Sequence, residues 1–286
     1  MADKGYDTVD FSHQTTGVWV HLDGNFAYAG GELRGGGNYV DETEINSIRD
    51  FEAIVGSAFG DRLEARFSST GSIRGGDGDD WIEGGNFRDI LYGDDGNDRV
   101  YGSSGDDLIY DGLGDDFMNG GVGTDTADFS KRTAAVYVDL TANNALVGGS
   151  VDSNGNCAGG TETNSLLGIE EIIGTLYGDQ LVGESNVGTK LDGGAGSDWL
   201  FGGSDDDIFT GETGNDYVLL NGGSDPIVYG AGDGIDVIEG FGADDLVRLE
   251  GLGAIFNDVQ NVLDSLTSTP DGAVLPIGMD GFGITF

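Results

Sequence analysis

The stretch from Gly75 to Asp128, GGDGDDWIEGGNFRDILYGDDGNDRVYGSSGDDLIYDGLGDDFMNGGVGTDTAD, divides without gaps into six nine-residue repeats. Aspartate occupies the sixth position of every repeat, and an apolar residue occupies the eighth, from Ile82 in the first repeat to Ala127 in the last. Glycine is most frequent at positions one, two and four, where it lets the backbone turn sharply with a positive φ. The stretch therefore predicts a regular array of short strands joined by glycine-rich turns.

The composition of the 286-residue chain favours disorder when it is considered without this periodicity. The formal net charge is −40, 55 residues are glycine and only 37% are hydrophobic, a combination that is typical of disordered chains. The fixed positions of the aspartates and apolar residues argue against a flexible acidic linker. Ordered acidic turns need cations for neutralisation, whereas a polyanion repels nucleic acid. The sequence thus predicts an ordered protein that binds divalent cations and no nucleic acid.

The repeat resembles G-G-x-G-x-D-x-U-x, the nonapeptide of the RTX family of calcium-binding parallel β-rolls. This resemblance implies that two repeats form one coil, so that turns on the same side of the roll are 18 residues apart, as Asp80 and Asp98 are. It also implies that each Ca²⁺ lies between two such turns, and six repeats then hold up to four inner ions. Hard oxygen ligands suit Ca²⁺, which takes about 6–8 of them. We therefore expect several Ca²⁺ ions as the cofactor.

The predicted ligands are the position-six aspartates together with carbonyl oxygens of the turns. The aspartates are Asp80, Asp89, Asp98, Asp107, Asp116, Asp125, Asp198, Asp207, Asp216 and Asp225. The carbonyls that the resemblance implies belong to Gly75, Asp77, Asp79, Gly93, Asp95, Asn97, Gly193, Ala195, Ser197, Gly211, Thr213 and Asn215. In the second repeat Phe87 and Arg88 replace the Gly-x of the turn, and Arg88 adds a positive charge. We expect the Asp89 turn to be the weakest calcium turn.

A second unit follows the first, because long segments match at a constant offset of 118 residues: Tyr6 aligns with Thr124, Thr43 with Thr161 and Ile73 with Leu191. Its repeats are GGAGSDWLF, GGSDDDIFT, GETGNDYVL and LNGGSDPIV, which cover 193–228. Three domains are expected. The first, 1–128, has a lead-in of 1–74 before nonamers 75–128, and the second, 129–228, has a lead-in of 129–192 before nonamers 193–228. The third is a C-terminal cap of 229–286.

The tail from 229 to 286 differs in kind and resembles the C-terminal cap of RTX arrays, a region that carries the secretion signal in that family. Pro226 cannot donate to a strand ladder, so the roll is expected to end in the last nonamer. Apolar residues at helical spacing predict a helix over 256–266, and DGAVLPIGMDGFGITF at 271–286 predicts a closing hairpin. The expected fold class is all-β, a parallel β-roll or β-solenoid in two tandem arrays, with a small β-rich cap containing one short helix.

No catalytic residue is predicted. The sequence contains no HExxH, GxSxG or CxxC motif, and the single cysteine, Cys157, excludes an intrachain disulfide. His13 and His21 align with Lys131 and Asp139 of the second unit, which favours surface roles for both histidines. No apolar run approaches the ~20 residues of a membrane span, and the N-terminus lacks a signal-peptide pattern. The sequence predicts a non-enzymatic protein without a membrane span.

The resemblance implies a bacterial protein that the type I secretion machinery exports to the medium or cell surface, and that folds outside the cell on binding Ca²⁺. One alternative is an accessory module for extracellular polysaccharide, with aromatic side chains as a platform; Tyr92 and Tyr110 are expected to stack on one sheet. Strand propensity explains outward aromatic residues equally well. Another alternative is a non-catalytic C-terminal fragment of a secreted RTX protease, lipase, epimerase or toxin. Ice binding is disfavoured, because positions three and five form no regular threonine row.

Overall fold

The computed structural model describes residues 7–21, 26–29, 32–34, 38–40, 44–47, 51–65, 70–230, 233–242, 244–250, 267–269, 272–276 and 283–285. All regular structure in these ranges is β, and they contain no helix long and apolar enough to cross a membrane. The chain divides into two compact units, Met1–Asp128 with Glu162–Ile169, and Phe129–Thr161 with Glu170–Phe286. The all-β prediction is confirmed. The helix predicted over 256–266 lies outside the described residues, and the domain boundaries drawn from the repeats stay a prediction.

The strands of the first unit are short. They are β1 (Thr8–Asp10), β2 (Val18–His21), β3 (Phe26–Ala29), β4 (Glu32–Arg34), β5 (Asn38–Val40), β6 (Glu44–Ser47), β7 (Ala53–Val55), β8 (Arg62–Glu64), β9 (Ser72–Asp77), β10 (Trp81–Glu83), β11 (Ile90–Asp95), β12 (Arg99–Ser104), β13 (Leu108–Tyr110), β14 (Phe117–Val122), β15 (Thr126–Asp128) and β19 (Glu162–Leu167). Strands β16–β18 belong to the second unit.

Successive strands of the first unit alternate between two parallel sheets. One sheet has the order β1-β7-β9-β11-β13-β15, and the other has the order β2-β8-β10-β12-β14-β19. Ile82 pairs with Val100 and Leu91 pairs with Ile109, which is the predicted step of two nonamers per coil. Antiparallel pairs β2–β3, β3–β6 and β4–β5 complete the unit. The parallel β-roll is confirmed.

The position-eight side chains form the core. Ile82, Val100 and Met118 follow one another in one sheet, with Leu91 and Ile109 in the other, and each is fully buried. Full burial of a side chain of this size contributes roughly 1.5–3 kcal/mol. Because each nonamer supplies one inward apolar residue, the interior is narrow, and the buried position-six aspartates lie only two residues from it.

The second unit repeats this arrangement. Its strands are β16 (Ala135–Asp139), β17 (Asn144–Val151), β18 (Cys157–Ala158), β20 (Glu171–Ile173), β21 (Gln180–Val182), β22 (Lys190–Asp192), β23 (Trp199–Phe201), β24 (Ile208–Thr210), β25 (Tyr217–Leu219), β26 (Pro226–Tyr229), β27 (Ile235–Glu239), β28 (Leu246–Leu249), β29 (Thr267–Thr269), β30 (Gly272–Pro276) and β31 (Gly283–Thr285). Strands β20-β22-β24-β26-β28 pair in parallel, as do β16-β21-β23-β25-β27-β31.

Four antiparallel pairs of the described strands complete the second unit. The lead-in strand β16 pairs with β17, which pairs with β18. Near the C-terminus β30 pairs with β29 and with β31. The pairing of β30 with β31 agrees with the closing hairpin that the sequence predicts over 271–286.

The expected end of the roll at Pro226 is wrong. Strand β26 begins at Pro226 and pairs in parallel with both β24 and β28, and β27 continues the opposite sheet. Proline is tolerated as the first residue of a strand, where its missing N–H interrupts no ladder. The roll therefore extends through about residue 249, which is beyond the last recognisable nonamer.

Candidate metal centres

The position-six aspartates connect neighbouring coils through one carboxylate oxygen. The main-chain N–H of Asp80 donates to Oδ1 of Asp98 at 2.8 Å, and the N–H of Asp98 donates to Oδ1 of Asp116 at 2.8 Å. The second unit shows the same bond from Asp198 to Asp216 at 2.9 Å. Each of these side chains is at most 3% exposed. A ladder of buried carboxylates, one per turn, therefore runs along the same side of successive coils.

The second carboxylate oxygen distinguishes two classes of turn. Within the described part of the chain, Oδ2 is buried and has no hydrogen-bond partner in Asp80, Asp98, Asp107, Asp198, Asp216 and Asp225. An unsatisfied buried acceptor costs free energy, and for a charged oxygen the cost is several kcal/mol. A cation at Oδ2 would remove this cost. We call these the open turns.

In the other class, the turn itself satisfies Oδ2. The N–H of Gly85 donates to Oδ2 of Asp89 at 2.6 Å, and the N–H of Gly203 donates to Oδ2 of Asp207 at 2.6 Å. The degenerate coils before each array do the same, with Ser57 donating to Asp61 and Thr175 donating to Asp179. We call these the capped turns. Their aspartates have no buried oxygen left to be satisfied by a metal.

The residue at position four separates the two classes. Open turns have glycine there, and in most of them it has a positive φ, which is 111° at Gly78 and 146° at Gly96. Only glycine adopts this conformation readily. Capped turns have a side chain at position four, such as Phe87 or Asp205, and neither of these residues has a positive φ. The Asp116 and Asp125 turns also have positive-φ glycines, Gly114 at 128° and Gly123 at 152°.

The position-one glycines hold a second oxygen close to Oδ2. A Cβ built at Gly93 would lie 2.5 Å from Oδ2 of Asp98 and 2.6 Å from the carbonyl oxygen of Asp111, the position-one residue of the next turn. A Cβ built at Gly75 would likewise lie too close to Oδ2 of Asp80 and to the carbonyl oxygen of Gly93. Each open turn in the first array thus brings a carboxylate oxygen and a backbone carbonyl oxygen to one place, and both are hard ligands of the kind that Ca²⁺ prefers.

The other carbonyl groups that are predicted to ligate Ca²⁺ belong to the same turns as these oxygen pairs. The carbonyls of Asp95 and Thr213 already accept a hydrogen bond, from the N–H of Gly78 at 2.6 Å and from that of Gly196 at 2.8 Å, so each keeps one lone pair. The others belong to the same turns: the glycines at Gly75, Gly93, Gly193 and Gly211 are buried, Ala195 is half-buried, and Asp77, Asp79, Asn97, Ser197 and Asn215 are exposed. Which of them ligate a metal stays a prediction.

Burial raises the pKa of the open-turn aspartates. The pKa is about 10 for Asp80, about 8 for Asp98 and about 9 for Asp216, and desolvation is the largest cause. Neighbouring carboxylates add to the shift, as Asp61 and Asp98 do for Asp80. Each open turn is therefore a poor place for a bare negative charge. No three acidic, histidine or cysteine side chains meet as a metal cluster among the described residues, so an ion here would depend on backbone carbonyls for most of its ligands.

Two position-six aspartates were missed from the sequence. Oδ1 of Asp236 accepts the N–H of Asp216 at 2.8 Å, and Oδ1 of Asp245 accepts the N–H of Asp225 at 3.0 Å. They continue the ladder at a spacing of 20 residues, where the nonamer register predicts 18. The signal that would have found them is the D-x-apolar triplet, which is DVI at Asp236 and DLV at Asp245.

Gly93→Ala should destabilise the folded protein in calcium by about 2 kcal/mol or more, because the new methyl group overlaps both oxygens at the Asp98 turn. Gly222→Ala is the control, since the nearest atom to its Cβ, the Ser204 carbonyl oxygen, is 3.8 Å away; we expect a change within about 0.5 kcal/mol. Urea unfolding at saturating calcium measures both free energies. Equal losses in the two variants would contradict the assignment of a crowded oxygen cradle to Gly93.

A comparison with protein families agrees with the nine-residue repeat. The RTX calcium-binding nonapeptide repeat matches residues 74–109, 92–127 and 191–225. Among solved structures, the extracellular lipase LipA from Serratia marcescens is similar, with 21% sequence identity and a TM-score of 0.35 over 73% of this chain. The chain spans 37% of the length of that lipase. No curated protein matches the chain.

Proposed function

We propose that this chain, which carries RTX calcium-binding nonapeptide repeats, is a secreted protein whose β-roll folds when its open turns bind Ca²⁺. The observation that carries the proposal is the buried Oδ2 atom of the open-turn aspartates, which has no partner in the described part of the chain. A carbonyl oxygen approaches the same glycine at position one of the turn. These paired oxygens fit a hard divalent cation.

The proposed ligands are the aspartates of turns with glycine at position four, together with carbonyls of the same turns. They are Asp80, Asp98, Asp107, Asp116, Asp125, Asp198, Asp216 and Asp225. Asp89 and Asp207 leave the set, because both oxygens of each carboxylate accept a main-chain N–H. Arg88 was expected to weaken the Asp89 turn, and the capping of Asp89 by Gly85 now supplies a second reason.

In Asp207, Oδ1 accepts the N–H of Thr189 at 2.7 Å, and Oδ2 accepts the N–H of Gly203 at 2.6 Å. For Asp89 the donors are Gly71 at 2.9 Å and Gly85 at 2.6 Å. Two capped turns, one in each array, therefore serve as internal controls for the metal-binding turns.

Calcium binding and folding are coupled in this proposal through charge. The chain has a formal net charge of −40, and the folded roll buries a carboxylate in every nonamer turn. Cytosolic calcium is too low to fill sites of extracellular strength, with dissociation constants of roughly 10⁻⁴–10⁻³ M. The chain then stays expanded during export through the type I machinery and folds in millimolar calcium outside, because a ligand that binds only the folded state stabilises it. The proposed role is binding rather than catalysis.

Equilibrium dialysis at neutral pH tests the ligand assignment. We expect several Ca²⁺ ions per chain at millimolar free calcium, and no comparable binding of Mg²⁺ at the same concentration, because Mg²⁺ demands octahedral geometry and gives up its water reluctantly. Saturation by Mg²⁺ to the same number of ions, or no bound Ca²⁺, would overturn the proposal.

A further inference from the structure

We propose that a cavity on the outer side of the first unit binds a neutral saccharide. The cavity has a volume of about 380 Å³ and lies where strands β12, β14 and β19 run side by side. Small-molecule sites typically have volumes of roughly 300–1,000 Å³. Aromatic rings, an arginine and polar side chains of the turns line it, and this mixture is what a hydroxyl-rich ring with apolar C–H faces requires.

The aromatic wall is the open end of a ladder of rings. Trp81 stacks on Tyr101 with ring centroids 4.9 Å apart, and Tyr101 contacts Phe117 at 5.5 Å. The ladder ends at Phe117, because its partner on the next strand is Ser165. A serine side chain is too short to cover the ring, so Phe117 borders the cavity with an apolar surface. The C–H face of a pyranose ring can pack against it.

The polar wall presents donors and acceptors close to that ring. Arg99 lies between Trp81 and Phe117 in the strand register and is exposed, and its guanidinium makes no hydrogen bond or ion pair within the described ranges. Asp115 uses Oδ1 to accept the N–H of Thr163 at 2.7 Å, and a carboxylate has further acceptor sites. On one cavity wall, the guanidinium can donate a hydrogen bond to one hydroxyl group of a sugar, and the carboxylate can accept a hydrogen bond from the neighbouring hydroxyl group.

Charge selects a neutral ligand. Asp98 and Asp116 also line the cavity, but their buried carboxylates are proposed calcium ligands, so Asp115 and Arg99 supply the exposed charges of the cavity. A polyanionic glycan would be repelled by Asp115 and by the net charge of −40. A purely apolar ligand would leave Arg99 desolvated without a partner. A neutral sugar polymer avoids both penalties.

Two other aromatic groups, the Tyr92–Tyr110 pair and Trp199, do not offer such a surface. Tyr92 and Tyr110 stack as predicted, with centroids 4.6 Å apart and an interplanar angle of 1°, so each ring covers a face of the other, and the Arg74 guanidinium lies over Tyr92 at 4.9 Å. In the second unit, Gly155 sits so close to Trp199 that a Cβ would lie 2.6 Å from the indole ring. Phe117 therefore marks a better saccharide site than either of these groups.

Affinity electrophoresis of the full chain in calcium tests the proposal, with dextran, galactomannan and mixed-linkage β-glucan as neutral probes and alginate as the anionic probe. We expect at least one neutral polymer to retard the protein. Arg99→Gln and Phe117→Leu should each weaken that binding about tenfold or more. Arg88→Gln removes the same charge at an exposed position outside the cavity and should leave binding unchanged.

The saccharide site requires a folded roll, so it rests on the proposed function. Circular dichroism of each variant in calcium shows whether the roll is folded, and it therefore distinguishes a missing saccharide site from a failure of calcium-dependent folding. A folded chain that binds none of the neutral polymers, that binds alginate alone, or that binds a neutral polymer equally well after both substitutions would overturn the saccharide site. A chain that does not fold in calcium would instead overturn the proposed function.

Discussion

Asp98→Ala combined with Asp107→Ala should raise the calcium concentration for half-maximal folding about tenfold or more, and should reduce the number of ions bound per chain. Each substitution removes a buried carboxylate whose Oδ2 faces the turn without a hydrogen-bond partner in the described structure. Ligand charge is a principal determinant of calcium affinity, and weaker binding to the folded state lowers its stabilisation by mass action. Circular dichroism gives the midpoint, and equilibrium dialysis gives the number of ions.

Asp89→Ala combined with Asp207→Ala is the matched control. It removes two carboxylates at the same position of the repeat, but their Oδ2 atoms already accept the N–H groups of Gly85 and Gly203. We expect this variant to lose stability at every calcium concentration while it keeps its full number of ions. His13→Ala, at an exposed position, should change neither quantity. An equal loss of ions in both double variants would contradict the distinction between open and capped turns.

Acidification should stabilise the roll in the absence of calcium. Burial raises the pKa of Asp80 to about 10, of Asp98 to about 8, of Asp107 to about 7, of Asp198 to about 8 and of Asp216 to about 9, from an ordinary value of 3.8. The folded, metal-free chain thus binds more protons than the unfolded chain at neutral pH. The stability that these aspartates contribute to the folded, metal-free chain is fully present below a pH of about 4, and it is lost as the pH rises through the raised pKa values.

In EDTA, circular dichroism should therefore show a rise in β-structure as the pH falls from about 8 towards about 5. Protons and Ca²⁺ compete for the same carboxylates, so equilibrium dialysis at a fixed calcium concentration should find fewer Ca²⁺ ions bound per chain over the same pH range. The Asp98→Ala, Asp107→Ala variant should respond less, because it lacks two of the groups with a raised pKa. A metal-free chain that loses β-structure on mild acidification would contradict the burial of these carboxylates in the folded state.

The nonamer register was predictable because its physical signals agree. A glycine-rich turn, a position-six aspartate and an inward apolar residue recur in phase, and the structure pairs Ile82 with Val100 as the phase requires. The end of the roll was not predictable in the same way. Pro226 is a strong signal against a central strand, but it stands at the first residue of β26, where a strand accepts it.

The two classes of turn could have been read from one position of the repeat. The aspartate at position six is common to all the turns and therefore does not separate Asp89 and Asp207 from the other ligands. The residue two places earlier, Phe87 or Asp205, decides whether the turn takes a positive φ. Asp236 and Asp245 escaped because two extra residues in the coil shift their phase. The cavity at Phe117 could not be predicted, since it depends on Ser165, a residue 48 positions away in the chain that becomes its strand neighbour.

Far-ultraviolet circular dichroism of the full chain during a calcium titration, followed by EDTA, tests the central claim most directly. We predict little β-structure in EDTA at neutral pH, a cooperative gain of β-structure at roughly 10⁻⁴–10⁻³ M calcium, and complete reversal when EDTA is added in excess. A β-spectrum that is already present without calcium at neutral pH, and that does not change during the titration, would contradict the claim that calcium folds this protein.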